Sequence, residues 1–483
     1  MEDLVVVGTT LNSMPELPEV QTVKTILERF VPGHMILSIE VLRDSIINGD
    51  KDEFVNSLVG EQFLSLSRIG KYLIFHLTND IVIISHLRME GKYYEYNENE
   101  DNSKYARVVF HLDGNKKLVY DDSRTFGEMI LSSENEYRTT KELSKLGQEP
   151  WDITDVKPIK EKTQKSTLPI KTLLLSQEYV VGLGNIYVDE VLFACRINPL
   201  TSTKDITLKQ WEDIVFHSSR IMKDAIESGG STIRSYHPGK DINGEFQTKL
   251  LVYSHKGEPC PACKTKLKFI KVGGRGTTYC PFCQPLKQDK LVIGLTGEIA
   301  SGKSSATKLF KELGAHTISA DEVVNKLYEN SEEIAVKLTD LTQISFKLSI
   351  DKALLRNYLI EHPKDVKKVN AIVHPLVINE IKKEIFWIDK GMIVVEVPLL
   401  FEAKMEKMFD FIVGVTISEE EQFERLKNRD HDKARYLKAI YNSNNVFNKN
   451  MSKLDFVIDN SSTMDNLQKQ VNLIFSKLKG LLN

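Results

Sequence analysis

The chain has 483 residues, with 64 Lys and Arg against 67 Asp and Glu, a formal net charge of −3 and 41% hydrophobic residues. That length calls for about three domains, and the balanced composition excludes a disordered or fibrous chain. No apolar run reaches about 18 residues, so no spanning helix is expected; Met1–Ser13 lacks the basic start and apolar core of a secretory signal, which predicts a cytoplasmic protein.

Glu19 to Phe30 carries apolar residues at helical spacing (Val20, Val23, Ile26, Leu27, Phe30), and Val31-Pro32-Gly33 stops it. Strand-like runs follow at Ile36–Val41, Phe63–Leu66, Tyr72–Leu77, Ile81–Ser85, Val108–Leu112 and Lys117–Tyr120, with turns such as Asp113-Gly114-Asn115 between them. This predicts an antiparallel β sandwich or barrel with one leading helix. From Thr139 to Gly229 the pattern is helical, and Ser228-Gly229-Gly230-Ser231 and Pro238-Gly239 mark a loop. A boundary falls at Gln284–Lys290. Beyond it Leu291–Leu295 reads as a buried parallel strand, and Thr317–Ile318, Met392–Val397 and Phe411–Val415 alternate with helices, which predicts an α/β domain.

Four of the five cysteines form Cys260-Pro-Ala-Cys263 and Cys280-Pro-Phe-Cys283, with sixteen residues between the pairs. That spacing suits a tetrahedral four-thiolate zinc site, in which each turn offers two sulfurs to one ion. Cytosolic disulfides are the weaker alternative. Cys195, inside the apolar run Val191–Ile197, reads as a small core residue. The loop between the pairs carries Gly273-Gly274-Arg275-Gly276, where an Arg at a glycine-rich tip can grip a phosphate; an exposed turn residue is the plain reading. Between Leu251 and Lys290 eight Lys and Arg stand against two Asp and Glu, a candidate phosphate-binding face or simply a solvated surface.

Met14-Pro15-Glu16-Leu17-Pro18-Glu19-Val20 looks like a protein's beginning, yet thirteen residues precede it. A free N-terminal proline is a secondary amine able to attack a sugar C1′, whereas an internal proline has no N–H. Together with Gly70-Lys71-Tyr72-Leu73, His86-Leu87-Arg88-Met89-Glu90-Gly91, Asp122–Gly127, Val181–Glu190, Gly229–Arg234 and the cysteine pairs ending in Gln284, this motif resembles formamidopyrimidine-DNA glycosylase from Met14 to Gln284. Leu17 favours that branch over the endonuclease VIII type. The resemblance implies that Pro15 is the nucleophile and Glu16 the proton shuttle. Lys71 would contact phosphate and donate a proton, and Arg275 would grip the same backbone and assist the second strand cleavage. Met89, Arg124 and Phe126 would fill the gap left by an extruded base; read without the family, Met89 and Phe126 would be core residues. Asn185 and Lys171 would bind phosphate. The sequence departs from the family at Lys104-Tyr105-Ala106-Arg107, where Tyr105 replaces a DNA-binding His and Arg107 keeps positive charge, and at Ser254-His255, where Gly-Arg is usual. The third departure is Met1–Ser13. The expected active form starts at Pro15, after translation from Met14 and removal of that methionine.

Gly297-Glu298-Ile299-Ala300-Ser301-Gly302-Lys303-Ser304 is a Walker A loop after a strand and before the helical run Ser305–Leu313. Its amides cradle phosphates, Lys303 reaches the β and γ groups, and Ser304 is placed for Mg²⁺. With Ser319-Ala320-Asp321-Glu322, Val373-His374-Pro375, Glu396–Glu402, Gln422–Leu426 and Val457–Asn460, the second half resembles dephospho-CoA kinase from Lys290 to about Leu482. The resemblance implies ATP binding by Gly297, Ala300, Ser301, Gly302, Lys303, Ser304 and Ser305. Asp321 is the candidate base toward the ribose 3′-hydroxyl, and an N-cap role is open to the same carboxylate. The Asn-rich Ala439–Met451 stands where the family's lid carries Arg and Gln. Ile440 and Asn444 lie near those places, with Lys438 and Lys449 nearby, which implies a slower kinase or altered nucleotide affinity.

The expected fold is multidomain: a β sandwich with a leading helix (14–135), a helix–two-turn–helix DNA-binding region (136–250), a zinc finger (251–284), a linker (285–290) and an α/β P-loop kinase with a parallel sheet (291–483). The expected protein is a monomer with one structural Zn²⁺. It excises oxidised purines from double-stranded DNA and phosphorylates dephospho-CoA with Mg²⁺ and ATP. The alternative is that only the kinase works and the first half is a DNA-binding module with a blocked proline.

Overall fold

The computed structural model describes residues 15–230, 246–346, 349–427 and 446–483. They fall into two compact units, 1–286 and 287–483. Met1–Met14, the 231–245 part of the expected loop, and Lys438, Ile440 and Asn444 lie outside the described residues. No helix among the described residues is long and apolar enough to cross a membrane.

In the first unit, α1 (Leu17–Leu27) starts two residues before its apolar spacing does. Pro18 sits in its first turn, where no N–H is needed, and Leu17, Val20, Val23, Ile26 and Leu27 are buried. The strands are β1 (Ile36–Val41), β2 (Phe63–Ile69), β3 (Tyr72–Leu77), β4 (Ile81–His86), β5 (Lys92–Asn97), β6 (Ala106–Leu112), β7 (Lys116–Asp121) and β8 (Glu128–Ser133), with helix α2 (Lys51–Leu58) after β1. They pair antiparallel in two four-stranded sheets, β1-β6-β7-β5 and β2-β3-β4-β8. One core joins them: Ile36, Tyr93, Phe110 and Tyr120 from the first, Phe63, Leu73, Phe75 and Ile83 from the second, closed by Val20 and Val23 of α1. This is a sandwich rather than a barrel. Two strands escape the apolar pattern. β5 fully buries only Tyr93 among its polar residues, and β8 only Met129.

Four helices follow: α3 (Lys157–Thr163), α4 (Ile170–Leu175), α5 (Asn185–Ala194) and α6 (Leu208–Glu227). They share a core around Trp211, Tyr187, Leu192 and Ile214, and Leu17 of α1 belongs to it. Cys195 packs against that core, and burial pushes its thiol up to about 12. The unit ends in a hairpin of β9 (Lys268–Val272) and β10 (Arg275–Tyr279), with Val272 paired to Arg275.

The second unit is a parallel sheet of β11 (Lys290–Gly297), β12 (His316–Ser319), β13 (Gly391–Glu396), β14 (Phe411–Thr416) and β15 (Phe456–Asp459), in the order β12-β13-β11-β14-β15. Among the described residues its helices are α7 (Lys303–Glu312), α8 (Ala320–Asn330), α9 (Glu332–Thr342), α10 (Lys352–Glu361), α11 (Val366–Phe386), α12 (Glu419–Lys427) and one at Met464–Lys479. Strand β11 lies between β13 and β14, so its carboxyl end opens at the crevice where such sheets bind ligands.

Candidate active sites

Pro15 is half-buried, and Glu16 beside it is 2% exposed. The Glu16 carboxylate accepts the N–H groups of Gly184 at 2.6 Å, Ile186 at 2.8 Å and Tyr187 at 3.4 Å. These amides open α5, and a helix start leaves such donors without internal partners and favours an anion. A Cβ on Gly184 would fall 2.3 Å from the Glu16 carboxyl carbon, so the approach needs glycine. Glu19 fixes the same segment: it accepts the Glu16 N–H at 2.9 Å and the Tyr187 hydroxyl at 2.7 Å.

Lys71, on the turn between β2 and β3, donates to the Leu183 carbonyl at 2.9 Å. Burial raises the Glu16 carboxyl to about 7, against the opposing pull of Lys71. Burial also lowers Lys71, which Glu16 and Glu19 resist and Arg275 reinforces. Burial thus favours the uncharged form of both groups, and Glu16, next to Pro15 in the chain, keeps its proton up to about pH 7.

Three further side chains lie on two turns of the sandwich. Met89 is half-buried on the turn after β4, and Phe126 is 55% exposed before β8. Neither is a core residue, as composition alone would have it. The exposed Arg124 places its guanidinium 5.2 Å from the Phe126 ring. Asp122, fully buried, shapes this turn by accepting the N–H groups of Arg124, Phe126 and Gly127 at 2.8–2.9 Å. His86 does the same for the other turn, accepting the Arg88 N–H at 2.9 Å; burial, then Arg88 and Lys71, lower it to about 3 and keep it neutral. Tyr105 is 42% exposed, with the Lys104 ammonium 4.9 Å from its ring. Arg107 donates to the backbone carbonyls of Asp122 at 2.8 Å and Ala106 at 3.0 Å, so its charge braces the Asp122 turn.

Asn185 starts α5; its side chain pairs with the Tyr253 hydroxyl, and its Oδ1 has no partner among the described residues. Lys171 is fully buried. The resemblance puts it on phosphate, but its side chain is 0% exposed, pairs with the equally buried Asp189 at 2.7 Å and donates to the Gly276 carbonyl at 3.1 Å. Its helix turns that ammonium inward, toward Asp189 and β10. Arg275, in contrast, is exposed at the hairpin tip.

The Sγ atoms of Cys260, Cys263, Cys280 and Cys283 all lie within 4.8 Å of one another. Cys260 and Cys283 are 3.8 Å apart and Cys263 and Cys280 3.4 Å, too far for a disulfide bond of about 2.05 Å and near the ~3.8 Å edge of a tetrahedron with Zn–S of about 2.3 Å. The donor set fits one structural zinc. Gln284, 0% exposed, ties the cluster to the helices by accepting the Cys280 N–H and donating to the Ile197 carbonyl, both at 2.9 Å.

In the second unit the P-loop joins β11 to α7, which starts at Lys303, two residues before the expected Ser305. Gly302 adopts φ +88, a left-handed turn that favours glycine. The Lys303 ammonium donates to its own loop at the carbonyls of Gly297 (3.2 Å) and Glu298 (2.8 Å). Ser304 donates to Glu396 at 2.9 Å, and Thr307 donates to the other oxygen of that carboxylate at 2.8 Å. Asp321 is exposed near the start of α8; partial burial and then Glu396 raise its carboxyl, and Lys303 holds it back. Ser319, not Asp321, caps α8. Three side chains hold the outward carbonyls of the loop: Gln422 on Ile299 (2.7 Å), Arg425 on Ala300 (3.4 Å) and Asn460 on Ser301 (2.7 Å).

Residues 14–129 match the model of the formamidopyrimidine-DNA glycosylase N-terminal domain, 146–237 that of its H2TH domain, and 257–286 that of the zinc finger found in FPG and IleRS. The formamidopyrimidine-DNA glycosylase of Exiguobacterium sibiricum is 44% identical over 276 residues, which is 56% of this chain and 99% of the relative. The chain belongs to the formamidopyrimidine-DNA glycosylase family. The Streptococcus mutans glycosylase is 43% identical over 56% of this chain and 99% of its own length. Among solved structures, wild-type Lactococcus lactis Fpg with DNA containing N7-benzyl-Fapy-dG is 39% identical, covering 56% of this chain and 99% of that one, with a TM-score of 0.53. The same enzyme with abasic-site DNA is 37% identical, over 56% of this chain and 100% of that one, with a TM-score of 0.53. Behind the glycosylase unit, residues 291–466 match the dephospho-CoA kinase model.

Glu16 and Lys71 thus meet at the start of α5, with Pro15 next to Glu16 in the chain. Glu19, Asp122, His86, Asp189 and Tyr187 fall inside the quoted motifs, but the sequence assigned them no role. Each holds backbone or another side chain, a task without a spacing signature. In the kinase unit the same is true of Thr307 and of the P-loop braces Gln422, Arg425 and Asn460.

Proposed function

We propose that the first unit is a glycosylase and abasic-site lyase acting on oxidised purines in duplex DNA, and that the second phosphorylates the 3′-hydroxyl of dephospho-CoA with ATP. For the first, the observation that carries the reading is the Glu16 carboxyl, raised to about 7 and seated on the α5 amides beside Pro15 and Lys71. With its amine free, Pro15 attacks C1′ of a flipped nucleotide as the damaged base leaves. Glu16 gives its proton to the ring oxygen, the sugar opens to an iminium, and Glu16 then assists elimination of the 3′-phosphate. Lys71 and Arg275 bind the flanking phosphates, and Asn185 adds a third contact. Met89 and Phe126 fill the vacated stack, Arg124 reads the orphaned base, and Tyr105 lies along the same DNA face.

In the kinase unit, Gly297, Ala300, Ser301, Gly302, Ser304 and Ser305 cradle the ATP phosphates, and Lys303 exchanges its loop carbonyls for phosphate oxygens. Mg²⁺ brought in with ATP would supply charge neutralisation to the phosphates, and Ser304 with Glu396 would hold it. Asp321 takes the proton of the acceptor hydroxyl as its oxygen bonds the γ-phosphorus and ADP leaves. The proposed boundaries are 14–135, 136–250, 251–284, 285–290 and 291–483.

The test is one preparation assayed twice: release of 8-oxoguanine from duplex DNA, and formation of CoA from dephospho-CoA and ATP. Both should proceed. Glu16→Gln should remove only the first, and Lys303→Met only the second. No base release from a chain with Pro15 at its terminus would sink the first reading; ATP binding without CoA formation would sink the second.

A further inference from the structure

Lys171 and Asp189 form an ion pair with no exposed side-chain surface, between the active carboxyl and the hairpin. Each partner also reaches the same strand. Lys171 Nζ donates to the Gly276 carbonyl at 3.1 Å, and Asp189 Oδ2 accepts the Thr278 N–H at 2.9 Å. Gly276 and Thr278 flank Thr277 on β10, whose first residue is Arg275. Asp189 belongs to α5, the helix whose opening amides hold Glu16. Next to Lys171, Thr172 packs against the hairpin turn: a Cβ on Gly273 would meet its Oγ1 at 2.7 Å. Helix α5 therefore holds the proton shuttle with its opening amides and, one turn on, supplies the anchor of the strand that begins with Arg275.

We propose that the Lys171–Asp189 pair is a positioning device, which sets the distance between Arg275 and the Glu16 site and so the balance between one and two strand-cleavage steps. This rests on the glycosylase reading above. Base release and the first elimination need Pro15, Glu16 and Lys71. The second elimination needs in addition a cation held on the phosphate that leaves last, and Arg275 is the side chain that the pair presents there. Buried ion pairs are weak evidence for stability, because apolar replacements of similar volume often fold as well. A role in placing the finger tip explains why α4 and α5 both point a charge at β10.

The test compares Asp189→Asn and the apolar pair Lys171→Met/Asp189→Leu with the parent two-unit chain, in the N-terminal form that traps DNA. Three quantities are read: zinc per chain, borohydride trapping on abasic DNA, and the ratio of doubly to singly eliminated product. The expected result is full zinc, trapping within about threefold of the parent, and a product ratio lowered about tenfold or more, with no further loss when Arg275→Ala is added. A folded, zinc-loaded apolar pair with the parent ratio would overturn the proposal, as would a parallel fall of trapping and ratio. Amide exchange of Thr278 and Tyr279 gives a readout free of activity: it should rise in both variants while exchange in β2–β4 stays unchanged. If the parent chain releases no base, the glycosylase reading fails, and the exchange result alone judges the latch.

Discussion

The two units use the start of a helix in opposite ways. In the glycosylase unit the first amides of α5 are already taken by the chain's own carboxylate, Glu16, at 2.6–3.4 Å. In the kinase unit the P-loop leads into the start of α7, and the side chains there contact the unit's own groups: Lys303 the loop carbonyls, Ser304 the Glu396 carboxylate. On the function proposed above, the same electrostatic device serves a resident acid in one case and a visiting phosphate in the other. What decides between them is burial. Glu16 is 2% exposed and its proton is retained to about pH 7 by desolvation, whereas Gly302 and Lys303 of the P-loop are only half-buried and Ser304 is exposed.

The largest expected effect breaks the first half of this contrast. Glu16→Gln should keep the helix contacts with Gly184 and Ile186 partly filled, yet cost about 10²–10⁴-fold in base release. Gly184→Ala should be comparably damaging through a clash with that carboxyl, with CoA formation unchanged in both. Lys303→Met breaks the other half, and CoA formation should fall by about 10²-fold or more while borohydride trapping is unaffected. Removing zinc with a strong chelator, or Cys260→Ser, should unfold the finger and abolish DNA binding without touching nucleotide binding, read by fluorescence anisotropy against an ADP thermal shift.

A smaller effect tests the origin of the Glu16 shift. The folded carboxyl is raised from 4.5 to about 7, so the folded chain holds a proton that the unfolded chain releases in that window. Its contribution is fully present below about pH 4.5 and lost as pH rises to about 7, a change on the order of 3 kcal/mol. Urea unfolding of the first unit should therefore weaken over that range, and Glu16→Gln should flatten the profile. The smallest expected effect sharpens the second half: Arg425→Met frees the Ala300 carbonyl and should raise the KM for ATP about threefold with little change in kcat.

Much of this was legible in the sequence because the chemistry is written in short, ordered strings. The apolar runs give strands such as Ile36–Val41 and Tyr72–Leu77 with their observed bounds, and the cysteine spacing gives the zinc cluster. β5 was not legible, since an outer strand of Tyr, Glu and Lys lacks the apolar run that betrays buried ones. Nor was the fate of Lys171: a lysine in a phosphate-binding motif and a lysine in a buried pair look identical until Asp189, eighteen residues later, is placed beside it. Glu19 and Asp122 were missed for a related reason. Both carboxylates serve backbone amides, and a carboxylate is far more often a solvated surface group.

The central claim is that the groups at the start of α5 make Pro15 a nucleophile. Borohydride trapping of the chain on duplex DNA containing 8-oxoguanine, followed by digestion and mass mapping of the cross-linked peptide, tests it directly. The account predicts a single adduct on the Pro15 nitrogen, in molecules whose first residue is Pro15. An adduct on Lys71 or another lysine, or efficient trapping by molecules that retain Met1–Met14, would contradict it.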